Sequence, residues 1–205
     1  MTSNPSESEA VAQSPSESET SAHPLQEFAD SVADAVNGEA EIHFDTVKVI
    51  VPRESWVSAH SVARDELDLV FFSWLSAIDW ANDVEAGDAL KEEVEERIEL
   101  LSTVGDLSEG KRVTFSTSLD SEMPQIATLV EVYAGANWHE REAAEMFGID
   151  FDGHPDLRKI YLPDAFQGNP LRKSYPLLSR EVKPWPGSVD VEGMPEGPTT
   201  ENPEA

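Results

Sequence analysis

The sequence predicts an α+β fold, in which a mixed sheet is covered by helices and is followed by an extended, proline-rich C-terminal arm. Strand-like and helix-like stretches alternate through most of the chain, and nine of the 14 prolines come after residue 150. We therefore divide the chain into an acidic tail (1–22), an α+β domain (23–150) with an acidic insertion at about 83–96, and an arm (151–205).

The N-terminal tail contains the sequence PSESE twice and has no aromatic or basic side chain. Such a segment cannot bury enough apolar surface to offset its ordering entropy, so we expect residues 1–22 to be disordered. We expect the same of the far end of the arm.

The first elements of the domain follow from periodicity. A helix is predicted over 24–38, because apolar residues recur at helical spacing between a starting proline and a final glycine. Residues 42–51 are β-branched and roughly alternating, which predicts one strand that ends at Pro52. The helix that follows should place Trp56, Ala59 or His60, and Ala63 on one face.

Two further stretches predict strands. Residues 67–80 are long enough for a helix, but their aromatic and β-branched side chains favour one long buried strand, or a strand with a bend. Residues 96–104 and 111–119 flank the turn-rich sequence GDLSEG and predict a hairpin. In its second strand Val113, Phe115 and Thr117 should share a face.

The longest predicted helix begins after Pro124 and runs to Phe147. One apolar stripe steps by three and four residues along it: Ile126, Leu129, Val130, Tyr133, Ala136, Glu140, Ala144 and Phe147. Gly148 follows in the position of a left-handed C-terminal cap. Beyond it, repeated prolines exclude long helices and central strands, so the arm should consist of extended segments and turns that lie on another surface.

Charge and composition limit the classes of function. The formal net charge is −27, yet residues 138–183 hold eight acids and seven bases and are nearly neutral. A strongly acidic chain repels nucleic acid and anionic lipid, so its partners should be proteins. There is no cysteine to ligate an ordinary iron–sulfur cluster, and no apolar run or signal sequence, which predicts a soluble, cytoplasmic protein.

Glu140 is the most informative single residue, because it interrupts the apolar stripe of the long helix. A buried carboxylate must be paired, protonated or functional. The first interpretation is a structural ion pair, with Arg158 or Arg172 as candidate partners; a general acid and a polar contact to another subunit are the alternatives. Catalysis lacks a matched second carboxylate or nucleophile.

Neither metal nor nucleotide chemistry is supported by motifs. His139 and Glu140 resemble half of H-E-x-x-H, but Ala143 stands where the second histidine would be, and no glycine-rich phosphate loop occurs. His154 should hydrogen-bond a turn. Arg172 and Lys173 lie between proline bends, either as an exposed basic loop or as a docking patch for an acidic partner.

The stretch WHEREAAEMFGIDFDGHPDLRKIYLPDAFQGNPLRKSYPL, residues 138–177, resembles the signature of the NADH-quinone oxidoreductase C-subunit family, the thirty-kilodalton subunit of respiratory complex I. The shared positions are Glu140, Arg141, Glu142, Glu145, Phe147, Gly148, Ile149, Phe151, Gly153, His154, Pro155, Asp156, Leu157 and Arg158, and then Gly168, Pro170, Leu171, Arg172, Lys173, Tyr175, Pro176 and Leu177. Asn169 stands where His is expected, and Glu145 where Asp is commoner.

The resemblance implies a subunit of the peripheral arm of complex I, on the cytoplasmic side of a bacterial cell membrane. Such a protein packs against the D subunit and near the cluster-bearing B and I subunits, and the signature residues form its interfaces. The complex passes electrons from NADH through FMN and iron–sulfur clusters to quinone and translocates protons. This chain would hold no catalytic centre, cofactor or metal, and its role would be structural. The alternatives are the equivalent subunit of a related membrane-bound hydrogenase or other-donor quinone reductase, and a stand-alone acid–base hydrolase.

Overall fold

A five-stranded sheet forms the centre of the computed structural model, which describes residues 23–83 and 92–176. Its strand order is β1-β2-β5-β4-β3, and a separate two-stranded sheet joins β6 to β7. The elements in chain order are α1 (Gln26–Val36), β1 (Glu39–His43), β2 (Thr46–Ile50), a 3₁₀ turn (Arg53–Ser55), α2 (Trp56–Asp65), β3 (Phe71–Asp79), β4 (Ile98–Gly105), β5 (Arg112–Leu119), β6 (Gln125–Ala127), α3 (Ala136–Phe147) and β7 (Asp150–Asp152).

The sheet is mixed, as predicted. Strands β2 and β5 run parallel, whereas the other neighbours in the large sheet are antiparallel. The β4–β5 pair is the predicted hairpin, with Val104 opposite Val113 and Leu100 opposite Thr117. The α+β class with a sheet covered by helices is thus confirmed.

The core lies between the helices and one face of the sheet. Trp56, Ala59, His60 and Ala63 of α2 are all buried, so the predicted face is correct. The His60 ring lies 4.6 Å from the Phe115 ring, donates through Nδ1 to the Trp56 carbonyl and accepts through Nε2 from the Ser102 hydroxyl. Burial lowers the pKa of His60 to about 4, so this imidazole is a neutral core residue at physiological pH.

The opposite sheet face carries a buried charge. The Glu99 carboxylate is almost fully buried and accepts from Trp80 Nε1 at 2.7 Å and from the Ser116 hydroxyl at 2.6 Å, and Lys48 Nζ lies 2.7 Å from it. Burial raises the pKa of Glu99, but these donors outweigh burial and the net pKa is lowered. This face of the sheet is therefore held by polar contacts across three strands.

Two predicted elements are wrong in extent. Residues 42–51 form parts of two strands, because the chain reverses at Phe44, whose φ is 53°, and pairs β1 with β2. The predicted helix from Pro124 to Phe147 starts only at Ala136; before it, β6 pairs with β7 and turns follow. The apolar spacing of this stretch reflects residues from different elements that point into one core.

Three sequence predictions lie wholly or partly outside the described residues: the tail 1–22, most of the insertion (84–91) and the end of the arm (177–205). In the described part of the chain, no helix is long and apolar enough to cross a membrane.

Candidate functional site

Residues 153–176, which we call the strap, follow β7 and lie along α3. The strap contains turns and bends but neither helix nor strand, as its prolines predict. It starts at Gly153, whose φ of 80° suits glycine. The signature residues that the sequence singles out meet here, at four places where α3 contacts the strap or the loop after β6.

The first place is the buried Glu140 carboxyl group near the start of α3. Its Oε1 accepts from the Leu129 backbone N–H at 2.6 Å, its Oε2 is bonded to the Thr128 hydroxyl, and its exposed fraction is 0%. Burial raises the pKa of Glu140 to about 7, although these two hydrogen bonds oppose the shift.

The ion pair predicted for Glu140 is therefore wrong. The arginines proposed as partners bond elsewhere: Arg158 to Asp156, and Arg172 to backbone carbonyls at the end of α3 and at Ser121. Within the described part of the chain, the ionisable group found within 4 Å of the Glu140 carboxyl is the buried His154 ring, whose Nε2 lies 3.9 Å from Oε2. Glu140 binds the loop after β6 to α3 instead of neutralising a cation.

His154 closes the turn at the start of the strap, as predicted. Its Nδ1 accepts from the Asp156 backbone N–H at 3.0 Å, which assigns the ring proton to Nε2. Nε2 donates to the Asn137 carbonyl at 3.3 Å. Both ring nitrogens are thus engaged, and the ring links the strap to the first turn of α3.

The second place is the contact between Arg141 and the strap around Asp156 and Arg158. Arg141 Nε donates to the Arg158 carbonyl at 2.9 Å, and its guanidinium lies 5.1 Å from the Trp138 ring. The Arg158 guanidinium reaches back to Asp156 at 2.7 Å. This pairing lowers the pKa of Asp156 and raises that of Arg158.

The third place is Glu145, which holds the middle of the strap, a role that sequence reasoning missed. Its carboxylate accepts from the consecutive backbone N–H groups of Ile160, Tyr161 and Leu162 at 2.9, 3.1 and 2.5 Å. Burial raises the pKa of Glu145, but the three donors outweigh it and leave the net pKa lowered. The only sequence signal was the acid's position in the signature, since its partners are backbone groups.

The fourth place is the C-terminal end of α3, where the strap satisfies carbonyl groups that a helix end leaves free. Gly148, with φ of 74°, donates its N–H to the Ala144 carbonyl. Strap groups cap the next three carbonyls: Asn169 Nδ2 to Glu145 at 3.0 Å, Leu171 N–H to Met146 at 3.1 Å, and Arg172 Nε to Phe147 at 2.6 Å. Asn169, one of the two departures from the family pattern, is thus a capping residue here.

Arg172 and Lys173 do not form an exposed basic loop. Arg172 Nη1 donates to the Ser121 carbonyl at 2.5 Å. Because its Nε bonds to the Phe147 carbonyl, the cation lies at the negative end of the α3 dipole. Lys173 Nζ donates to the Ala81 carbonyl, and its backbone N–H to Asp79. Both side chains are half-buried and bind the strap to its own domain, so an exposed basic loop is ruled out, while docking of an acidic partner here stays a prediction.

The remaining signature residues divide by exposure. Phe147 is buried under the helix end, Glu142 and Pro170 are half-buried, and Pro155, Leu171 and Pro176 are exposed.

This arrangement suits structure better than catalysis. The side chains of Glu140 and His154 are both 0% exposed, so no substrate can reach them, whereas a general acid must come within hydrogen-bond distance of its substrate. Within the described residues, no group of three or more His, Asp or Glu side chains could hold a metal ion. The site is structural: Glu140, Arg141, Glu145 and Arg172, with the groups to which they bond, fix the strap and the loop after β6 against α3. We call these residues the clasp.

Comparison with known proteins shows the family to which the chain belongs. Residues 49–181, more than half of the chain, match the family model described as respiratory-chain NADH dehydrogenase, 30 Kd subunit. The chain therefore belongs to this family. It is similar to the C subunit of NADH-quinone oxidoreductase from Roseiflexus sp. (32% identity; 77% of this chain, 85% of the relative) and to that from Salinispora tropica (29% identity; 78% and 66%).

Three further likenesses concern one more relative and two solved structures. The chain is 42% identical, over 39% of its length, to 14% of the C/D subunit of NADH-quinone oxidoreductase from Methylococcus capsulatus. Its fold resembles a trypsin-resistant fragment of Nqo5 (TM-score 0.51, 22% identity; 65% of this chain, 98% of the fragment). It also resembles a chain of an archaeal membrane-bound sulfane sulfur reductase (TM-score 0.59, 18% identity; 76% of this chain, 88% of that chain).

Proposed function

We propose that this chain is a structural subunit without redox centres in the peripheral arm of a proton-translocating NADH:quinone oxidoreductase. In this assembly, electrons pass from NADH through FMN and iron–sulfur clusters in partner subunits to quinone. The chain lies on the cytoplasmic side of a bacterial cell membrane and reaches the membrane through the complex. It contributes no catalytic residue of its own.

The observation that carries this proposal is that the signature residues form hydrogen bonds within the chain itself. Glu140, Glu145 and Arg172 direct their polar atoms at backbone or side-chain groups of the same chain. A catalytic signature would direct such groups into an open cavity, where substrate and reacting atoms fit. Here the signature fixes the shape of α3 and the strap, and this rigid shape is what a scaffold protein presents to its neighbours.

The proposed partners are the D, B and I subunits of the complex. The joined C/D subunit of Methylococcus capsulatus supports the first of these, because two polypeptides that are joined in one organism commonly lie together in another. The other two rest on the resemblance of residues 138–177 to the family. The exposed outer side of the strap, with Tyr161 and Leu171, is available for such contacts.

A second candidate is the equivalent subunit of a related membrane-bound hydrogenase or other-donor reductase. The fold likeness to a chain of a sulfane sulfur reductase favours it, since the same fold occurs in a respiratory membrane complex with a different substrate.

Purification through a tag on this chain tests both candidates. Membranes are solubilised in mild detergent, the co-purifying proteins are identified by mass spectrometry, and quinone reduction is measured with NADH and with other donors. We expect the subunits of an NADH:quinone oxidoreductase and NADH-dependent activity. Hydrogenase subunits, or activity with another donor alone, would support the second candidate; recovery of the chain without companions would contradict both.

A further inference from the structure

One cleft beside the strap collects basic side chains. It has a volume of about 650 Å³ and is lined by Arg141, Leu157, Arg158, Lys159 and Asp164. A neighbouring hollow of about 320 Å³ shares Leu157 and Lys159 with it and continues along α3 toward Asn169. Together they form a groove between the helix and the strap, which we call the strap groove.

The cations of this groove are unusual in so acidic a protein. The chain has 14 Lys and Arg residues against 41 Asp and Glu, and three of the 14 line this one cleft. Within the described part of the chain, Arg141 and Lys159 form no ion pair; Arg141 donates to the Arg158 carbonyl and Lys159 to the Phe166 carbonyl. Both hydrogen bonds go to neutral acceptors, while Glu145 near Lys159 and Asp156 near Arg141 offset these charges only in part, without direct contact. The Arg141 guanidinium also has further N–H donors that can bind a carboxylate.

An exposed aromatic ring lies next to Arg141, one of the residues that line the groove. The Trp138 side chain is 63% exposed, and the Arg141 guanidinium lies over its ring at 5.1 Å. Trp and Arg are among the residues most enriched at the positions that dominate binding energy at protein interfaces. The backbone bonds from Glu145 and Arg141 to the strap fix the groove before any partner arrives, which lowers the entropy cost of binding.

We propose that the strap groove binds an acidic segment of a neighbouring protein in the complex, with carboxylates on Arg141 and Lys159 and an apolar side chain against Trp138. This rests on the proposed function, since it identifies the chemistry of one partner of the scaffold. A short acidic peptide fits better than nucleic acid, because a long polyanion would also face the acidic surface that gives the chain its charge of −27.

Charge reversal in the intact complex tests this. Tagged complexes that carry Lys159→Glu are compared with the wild type and with Lys111→Glu. Lys111 is a matched control, because it is an exposed lysine on the β4–β5 turn that pairs with Glu109. The complex is washed at raised salt, and the amount of tagged chain that keeps its companions is measured. We expect Lys159→Glu to retain about tenfold less than Lys111→Glu, because a like charge placed against an acidic segment is repelled. Equal retention of the two variants would overturn the proposal.

A photo-crosslinking amino acid at position 138 provides a second readout that does not depend on charge reversal. We expect it to capture a partner peptide rich in Asp and Glu. Crosslinks only to residues 1–22 or 177–205 of this chain, or to RNA, would overturn the proposal, and so would capture of a basic or neutral segment. The proposed function fails separately, if the wild-type chain purifies without companions.

Discussion

The buried carboxyl group of Glu140 predicts a particular pH dependence. Glu140 lies in a sealed site, with Thr128 and the Leu129 N–H as hydrogen-bond partners and His154 Nε2 at 3.9 Å. Substitution of Glu140 by Gln keeps the shape and an acceptor oxygen but removes the ability to ionise. Glu142→Gln on the same helix is the matched control.

The magnitude follows from the pKa. In the unfolded chain the carboxyl titrates near its ordinary value of 4.5, and in the folded chain at about 7. Between these values the folded state holds a proton that the unfolded state has released, so stability falls as pH rises. A gap of this size corresponds to about 3 kcal/mol of unfolding free energy. This penalty is absent below pH 4.5 and is complete above pH 7.

Urea unfolding of the isolated chain, followed by tryptophan fluorescence at several pH values, measures the effect. The difference between wild type and Glu140→Gln cancels the titration of the other acids. We expect Glu140→Gln to gain about 3 kcal/mol relative to wild type between pH 4.5 and pH 8, and Glu142→Gln to gain little. A wild-type advantage that grows with pH would show that a cation stabilises the ionised group, and would refute this reasoning.

Three further substitutions test the clasp and the sheet. Glu145→Ala should cost about 2–4 kcal/mol, because three strap N–H groups lose their acceptor; faster hydrogen exchange at those amides checks it, and unchanged exchange would count against the clasp. Gly148→Ala should destabilise more than Gly110→Ala in thermal unfolding, since both glycines have φ near +70° but only at Gly148 would a Cβ lie 2.8 Å from Asn169 Oδ1. Equal losses of thermal stability in the two variants would show that the close contact with Asn169 has no effect. Glu99→Leu should lower the free energy of unfolding in urea by about 2 kcal/mol, because it leaves the Lys48 ammonium group without its carboxylate partner. An unchanged unfolding midpoint would show that the ion pair contributes nothing to stability.

Local patterns predicted the elements whose contacts are near in sequence. The helix at 24–38 and the β4–β5 hairpin followed from periodicity and turn residues, and both occur nearly as predicted. Trp56 and Ala63 were placed on the buried face of α2 for the same reason. In these elements the side-chain period and the burial direction coincide, so the local pattern suffices.

The stretch before α3 shows why the pattern also misleads. Ile126, Leu129 and Tyr133 are spaced as on a helix and all are buried, but Ile126 pairs with Phe151 in a sheet. The Leu129 N–H bonds to Glu140, so it is not part of a helical ladder. Long-range pairing outweighed local spacing, and that pairing is not visible in one sequence.

The clasp could be located from the sequence but not resolved. The resemblance to the family pointed to Glu140, Glu145 and Arg172, yet the predicted ion pair of Glu140 was wrong, and Arg172 does not lie in an exposed basic loop. Each of these three side chains bonds to backbone groups 11 to 51 residues away. Backbone acceptors and donors carry no residue signature, so spacing alone could not identify them.

Flavin and iron content per polypeptide test the scaffold role most directly. The chain is purified alone and, separately, with its complex, and flavin fluorescence and iron are quantified in both preparations. We expect both cofactors in the complex and neither in the isolated, folded chain. A stoichiometric flavin or metal centre in the isolated chain, or turnover of NADH by it, would contradict a purely structural role.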